Sequence, residues 1–247
     1  MKLSSRGRRF AVTALLPVAS TAWADTLAPG GEILGPTGTT FAAEPQLGGT
    51  VVEDVITPFS YTGWLTDSGG PTPVTTHGTI SGSVQSRVVH AVDGTYDFYW
   101  KVNVDPGSFL SVLDLEVGGL APATYNANWR MDGLGMVQPG LISQRSSGGV
   151  DWLFGLVSPS HQLAGGEQSY FLMLDTNAHA YTHTAEFSLG SGRDAGGSMM
   201  IDWGGSSANY ATFAPAVPEP GSVALIGAGL GLLAFLQRRR AQGMSSS

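Results

Sequence analysis

The sequence predicts an all-β protein: an antiparallel β-sandwich ectodomain, preceded by a signal peptide and followed by a single hydrophobic helix. Three observations carry this reading. Apolar residues recur with period two in several segments. Turn-forming pairs separate those segments at short intervals. The chain holds 35 glycines and 14 prolines but no cysteine, a composition that suits short strands joined by tight turns.

The first element is an address. In MKLSSRGRRFAVTALLPVASTAWADT, Lys2 to Arg9 is basic, Phe10 to Val18 is apolar, and Ala22-Trp23-Ala24 is an A-x-A cleavage pattern. Residues 1–24 therefore read as a secretory signal peptide, passed through secretion machinery and cut after Ala24. Residues 25–50 are rich in Gly, Pro and Thr with weak periodicity. They are expected to form a flexible arm.

Residues 51–216 are expected to be the β-sandwich. In TYDFYWKVNV, Tyr96, Phe98, Trp100, Val102 and Val104 fall on one face. Asp97, Tyr99, Lys101 and Asn103 fall on the other, so the segment reads as a half-buried strand with one wet side. In TISGSVQSRVV, Ile80, Val84 and Val88 oppose Thr79, Ser83, Gln85 and Arg87. Leu113, Leu115 and Val117 oppose Asp114 and Glu116, and Val150, Trp152, Phe154 and Leu156 share a face. SYFLMLDT is apolar on both faces, as a central strand requires. Further strands are expected at 51–56, 59–66, 122–130, 183–189, 198–203 and 209–213. Asp93-Gly94, Asp105-Pro106-Gly107, Gly118-Gly119 and Gly165-Gly166 supply turns. No fixed repeat is visible, which argues against a solenoid.

The last element is a second address. Val217-Pro218-Glu219-Pro220-Gly221 precedes an uncharged stretch, 222–236, and then Arg238, Arg239 and Arg240; residues 242–247 follow as a short tail. At about 1.5 Å per residue the stretch spans roughly 22 Å, short of the roughly 30 Å hydrocarbon core of a bilayer. Gly227, Gly229 and Gly231 weaken it further as a helix. The arginines act as a membrane stop on the cytoplasmic side. The reading is a marginal transmembrane helix giving transient membrane insertion, with a protease-accessible Pro-Glu-Pro segment outside it.

These residues resemble the PEP-CTERM sorting signal, a tail also labelled the ice-binding protein C-terminal domain; that label gives no evidence of ice binding. The resemblance covers 217–241. It implies an exported protein of a Gram-negative bacterium, held briefly in the inner membrane. It implies processing near Pro218 to Gly221 by an exosortase-type membrane transpeptidase. Delivery to the cell surface or extracellular matrix follows, with an association with exopolysaccharide or biofilm. The order of DFYWKV, SQRSSGGVDWLF and QSYFLMLDTNAHAY also loosely resembles other PEP-CTERM ectodomains. The matching residues, Arg145-Ser146 and Thr176-Asn177-Ala178, read as structural.

Charge narrows the partners. Between Asp25 and Val217 there are five basic residues, Arg87, Lys101, Arg130, Arg145 and Arg193, against 18 acidic ones, a balance of −13. Such a field repels nucleic acid and favours neutral sugars or cations. The absence of cysteine excludes thiolate metal sites, catalytic thiols and disulfides.

The search for chemistry yields no catalytic residue, no cofactor and no metal site. His179 and His183 lie about 13 Å apart if they sit on a strand, too far to share an ion. No HExxH, GxSxG, P-loop or dinucleotide fingerprint occurs. His77, His90 and His161 have no nearby nucleophile in sequence. Asp93 with Asp97, and Asp114 with Glu116, read as wet strand faces rather than a glycosidase pair. The leading reading is accordingly a structural or interaction protein of the envelope or biofilm, and a secreted hydrolase is the weakest. Exposed tryptophans would instead support a carbohydrate-binding module. Trp100 and Trp152 share apolar faces and read as core. Trp129 and Trp203, among polar and Gly-Ser neighbours, are the candidate sugar contacts.

Overall fold

A computed structural model describes residues 25–68, 70–155, 162–194 and 201–216. The signal-peptide residues Ala22 and Ala24, the motif Val217 to Gly221, the apolar stretch 222–236, the arginines Arg238 to Arg240, and Leu156 lie outside the described residues. Among the described residues no helix is long and apolar enough to cross a membrane.

The domain is a two-sheet, sandwich-like β structure. Its strands are β1 (Asp25–Leu27), β2 (Glu32–Leu34), β3 (Gly49–Asp67), β4 (Val74–Ala91), β5 (Tyr96–Val104), β6 (Ser111–Gly118), β7 (Tyr125–Arg130), β8 (Leu141–Gln144), β9 (Val150–Leu153), β10 (Phe171–Asp175), β11 (Tyr181–Asp194), β12 (Ile201–Ser206) and β13 (Tyr210–Pro215). Sheet A runs β1-β7-β10-β5-β4-β3. Sheet B runs β12-β11-β6-β9-β8-β2, with β13 also on β11. The strand pairings are antiparallel throughout. The single helical turn among the described residues is the 3-10 turn Pro45–Leu47.

The period-two faces meet between the sheets. Phe98, Trp100 and Val102 from β5 and Ile80, Val84 and Val88 from β4 face Leu115 and Val117 from β6 and Trp152 from β9, all fully buried. Trp100 and Trp152 touch across the sandwich, ring centroids 5.4 Å apart. The hairpin β4–β5 closes at Asp93-Gly94, where Gly94 takes φ +89, a conformation a β-carbon resists. Thr176 ties β10 back to β5: its hydroxyl donates to the Tyr96 carbonyl at 2.7 Å.

Two expectations are corrected. Residues 25–50 are not a loose arm. β1 pairs with β7 at the edge of sheet A, and β2 pairs with β8 at the edge of sheet B. The segment thus bridges both sheets, and its Leu27 and Leu47 are buried. The outer side of β5 is not wet either. Asp97, Tyr99 and Lys101 are all buried. The chain around Pro45–Leu47 packs on Tyr99: Leu47, Val89, Tyr99 and Met173 form a second small apolar cluster with Phe171 against it. The Tyr99 hydroxyl donates to the Leu47 carbonyl at 3.3 Å.

Candidate functional site, a tryptophan-walled groove

Of the two candidate tryptophans, the structure exposes one. Trp129 is 6% exposed and belongs to the main core. On β7, Tyr125, Ala127 and Trp129 point inward, while the flanking Asn128 and Arg130 occupy the other face. The Trp129 indole donates to the Pro36 carbonyl at 3.0 Å and packs on Tyr170, centroids 4.8 Å apart. It has no free face for a sugar, and its candidacy is withdrawn. Trp203, on edge strand β12, is 49% exposed.

Trp203 borders a surface groove of about 420 Å³, within the range of ligand sites. Its lining also includes Trp64 of β3, 44% exposed. Asp114 and Glu116 of β6, Ser188 and Gly190 of β11, and Asn209 line it as well. Glycine makes the close approach possible. A β-carbon on Gly190 would come within 2.7 Å of Cζ3 of Trp203 and would also meet the Asp114 carboxylate. Sequence reasoning did not single out Trp64, because the residues that share its groove are remote in the chain.

The floor is acidic. Asp114 accepts a short hydrogen bond from the Gly190 amide. Burial pushes its carboxyl up to about 6. Glu116 is bound by the Arg145 guanidinium, Nη2 to Oε2 2.6 Å. Asp151 stands beside Glu116 in register on β9. Burial, then the charges of Asp114 and Glu116, push its carboxyl up to about 8. Asp114 and Glu116 lie on one strand, and each already has a partner. They offer hydrogen-bond acceptors at the groove floor and do not face each other across a reacting centre.

His179 and His183 are engaged elsewhere. His179 Nδ1 lies 3.1 Å from the Gly94 carbonyl, and His183 Nε2 lies 3.0 Å from Glu53. Hydrogen bonds from Tyr181 and then His183 hold Glu53 below its ordinary carboxylate range. Among the described residues no group of three or more His, Cys, Asp or Glu is placed to hold a metal ion.

The comparisons with known proteins bear on the end of the chain. The PEP-CTERM protein-sorting motif matches residues 216–240. No curated protein and no solved structure matches the chain significantly. The chain therefore carries an exosortase sorting motif, immediately after its last described strand, and is an exported surface protein.

Proposed function

We propose that this exported exosortase substrate is a non-enzymatic, polysaccharide-binding component of the cell surface or extracellular matrix, with a role in exopolysaccharide or biofilm. It would be inserted transiently in the inner membrane, cut near Val217 to Gly221, and released from the segment ending at Arg238 to Arg240. The Trp64–Trp203 groove is where it takes a sugar chain.

One observation carries the reading: two half-exposed indoles border a groove whose floor is polar. A soluble surface seldom leaves large aromatic faces uncovered without use for them. The faces of an indole are electron-rich and attract the C–H faces of a pyranose ring. Asp114, Glu116, Ser188 and Asn209 then offer acceptors and donors to its hydroxyls. A neutral sugar suits an ectodomain of balance −13.

The test is affinity electrophoresis of the exported protein, purified from its own cells, in gels containing neutral polysaccharides. Retardation is expected and should fall at least tenfold in Trp203→Ala and in Trp64→Ala. Retardation by no neutral polysaccharide, or retardation of both variants equal to that of the wild type, would overturn the reading.

A further inference from the structure

The long strand β3 is an edge of sheet A, and among the described residues it pairs with β4 alone. The ladder shows which of its backbone groups that leaves free. The Thr79 and Ser81 carbonyls of β4 accept from the Phe109 and Asp105 amides, so they point away from β3. Alternate residues of an antiparallel strand direct both backbone groups to one side. Ile80 and Gly82 therefore face β3, opposite Tyr61 and Phe59. The register is unbroken from Glu53 to Asp67. By the same alternation Asp54, Ile56, Pro58, Thr62 and Trp64 turn their backbone groups to the outer edge.

The two halves of that edge differ. At its far end β12 lies against the carbonyls. A β-carbon on Gly204 would strike the Trp64 carbonyl, and one on Gly205 would come within 3.0 Å of the Thr62 carbonyl. From Asp54 to Pro58 no hydrogen bond among the described residues reaches the outward backbone groups. The side chains here are apolar on both faces. Val55 shares the inward face with buried Phe59 yet is 45% exposed, and Ile56 on the outer face is 66% exposed. Lysines or unpaired charges usually guard such an edge. β3 holds no Lys or Arg, and the two acids of its near half are closed within the chain. Glu53 accepts from the Tyr181 hydroxyl at 2.6 Å, and Asp54 pairs with Arg87 at 2.7 Å.

The complement of this stretch is the stretch itself. In an antiparallel pair about a two-fold axis normal to the sheet, opposed side chains share a face. An axis at Glu53 or Asp54 sets like charges opposite each other, which is unfavourable. An axis at Ile56 sets Ile56 against its own copy on the outer face and Val55 against Thr57 on the inner one. Ile56 then exchanges both backbone hydrogen bonds with its copy, and each Asp54 amide donates to the Pro58 carbonyl of the other chain. The N–H that Pro58 lacks is needed for none of these bonds.

We propose that two copies of this chain associate through the near half of β3, antiparallel about a two-fold axis at Ile56, so that their two A sheets become one continuous sheet. The sorting motif delivers every copy to the same surface, where this contact joins them. The contact shares no residue with the lining of the Trp64–Trp203 groove and does not depend on the sugar reading.

The test is sedimentation velocity of the exported protein, purified from its own cells, over a rising concentration series, together with cysteine trapping. A dimer is expected to grow in with concentration. Ile56→Lys should weaken it at least tenfold with near-ultraviolet circular dichroism unchanged, because the side chain it replaces is exposed. The chain has no cysteine, so an introduced one reports on its own position. Hydrogen-bonded antiparallel partners have Cα atoms about 5.5 Å apart, within reach of a disulfide. Ile56→Cys should therefore cross-link on oxidation, and Ser60→Cys, which this register holds far from its copy, should not. A protein that is monomeric at every concentration, whether free or holding a different protein on this edge, would overturn the proposal. So would a dimer unaffected by Ile56→Lys, or Ser60→Cys cross-linking as readily as Ile56→Cys.

Discussion

The indole of Trp100 donates its Nε1–H to Oγ1 of Thr212, 2.9 Å away on the opposite sheet. Both residues are buried, and the Thr212 hydroxyl lies 3.1 Å from that of Ser86. A polar chain thus crosses an otherwise apolar core, joining β5 and β4 of sheet A to β13 of sheet B. Thr212→Val keeps the shape and removes the acceptor. The indole N–H is then buried without a partner, which costs about 1–3 kcal/mol. Thr212→Ser should stay near wild type. Thermal melts of the two variants check this; at about 2–4 °C per kcal/mol for a domain of this size, the valine variant should melt several degrees lower.

The N-terminal segment should behave as core. Leu27 and Leu47 are buried, one between the sheets and one over the outer face of sheet A. Leu27→Ala and Leu47→Ala should each destabilise the domain by about 2–5 kcal/mol. Urea denaturation followed by tryptophan fluorescence reads this directly. A loose arm would give changes near zero.

These two sites show what the sequence could and could not reveal. Alternation located Phe98, Trp100, Val84 and Leu115 in the core because period two in a strand is set by contact with the opposite sheet. The same alternation, read on β7, would have turned Trp129 inward with Tyr125 and Ala127; its polar neighbours Asn128 and Arg130 belong to the other face. Residues 25–50 stayed illegible for a different reason. A three-residue strand such as Asp25–Leu27 is too short to show a period. The turn Pro45–Leu47, equally short, packs on Tyr99, and the polarity of Asp97 and Lys101 alone announced a wet face. The groove joins residues as remote as Trp64, Asp114 and Trp203. The walls and floor come from separate strands, so only the fold brings them together.

Stability should fall as pH rises through neutrality. Burial first, then the nearby Asp175, pushes Asp97 up to about 8. Asp151 is likewise pushed up to about 8. An unfolded Asp titrates near about 3.9. Between roughly 4 and 8 the folded protein therefore holds protons that the unfolded chain has released, and stability declines as pH rises across that window. Below it, carboxylates held low, such as Asp93, Asp132 and Glu53, lose their stabilising contribution. The melting temperature should therefore peak on the acid side of neutrality. Asp97→Asn should flatten the decline, because an amide keeps the oxygen that accepts from the Thr176 amide and removes the titrating proton.

Processing should spare the fold at both ends. The first described strand begins at Asp25, directly after the Ala22-Trp23-Ala24 pattern. The last strand ends at Pro215, and the Ala216 amide still donates to the Ala180 carbonyl at 2.9 Å. The sorting motif spans 216–240, starting at that residue. A cut within Val217 to Gly221 thus removes none of the described strands and opens none of their ladders, so the released domain should keep its stability. The measurement is the intact mass of the protein recovered from its own cells. A mass fitting Asp25 to a residue between Val217 and Gly221 is expected, and any added mass at the new C-terminus would identify the group transferred there. A chain that still ends at Ser247 and stays with the membrane would mean that Val217 to Gly221 is not cut and that the tail acts as a permanent anchor.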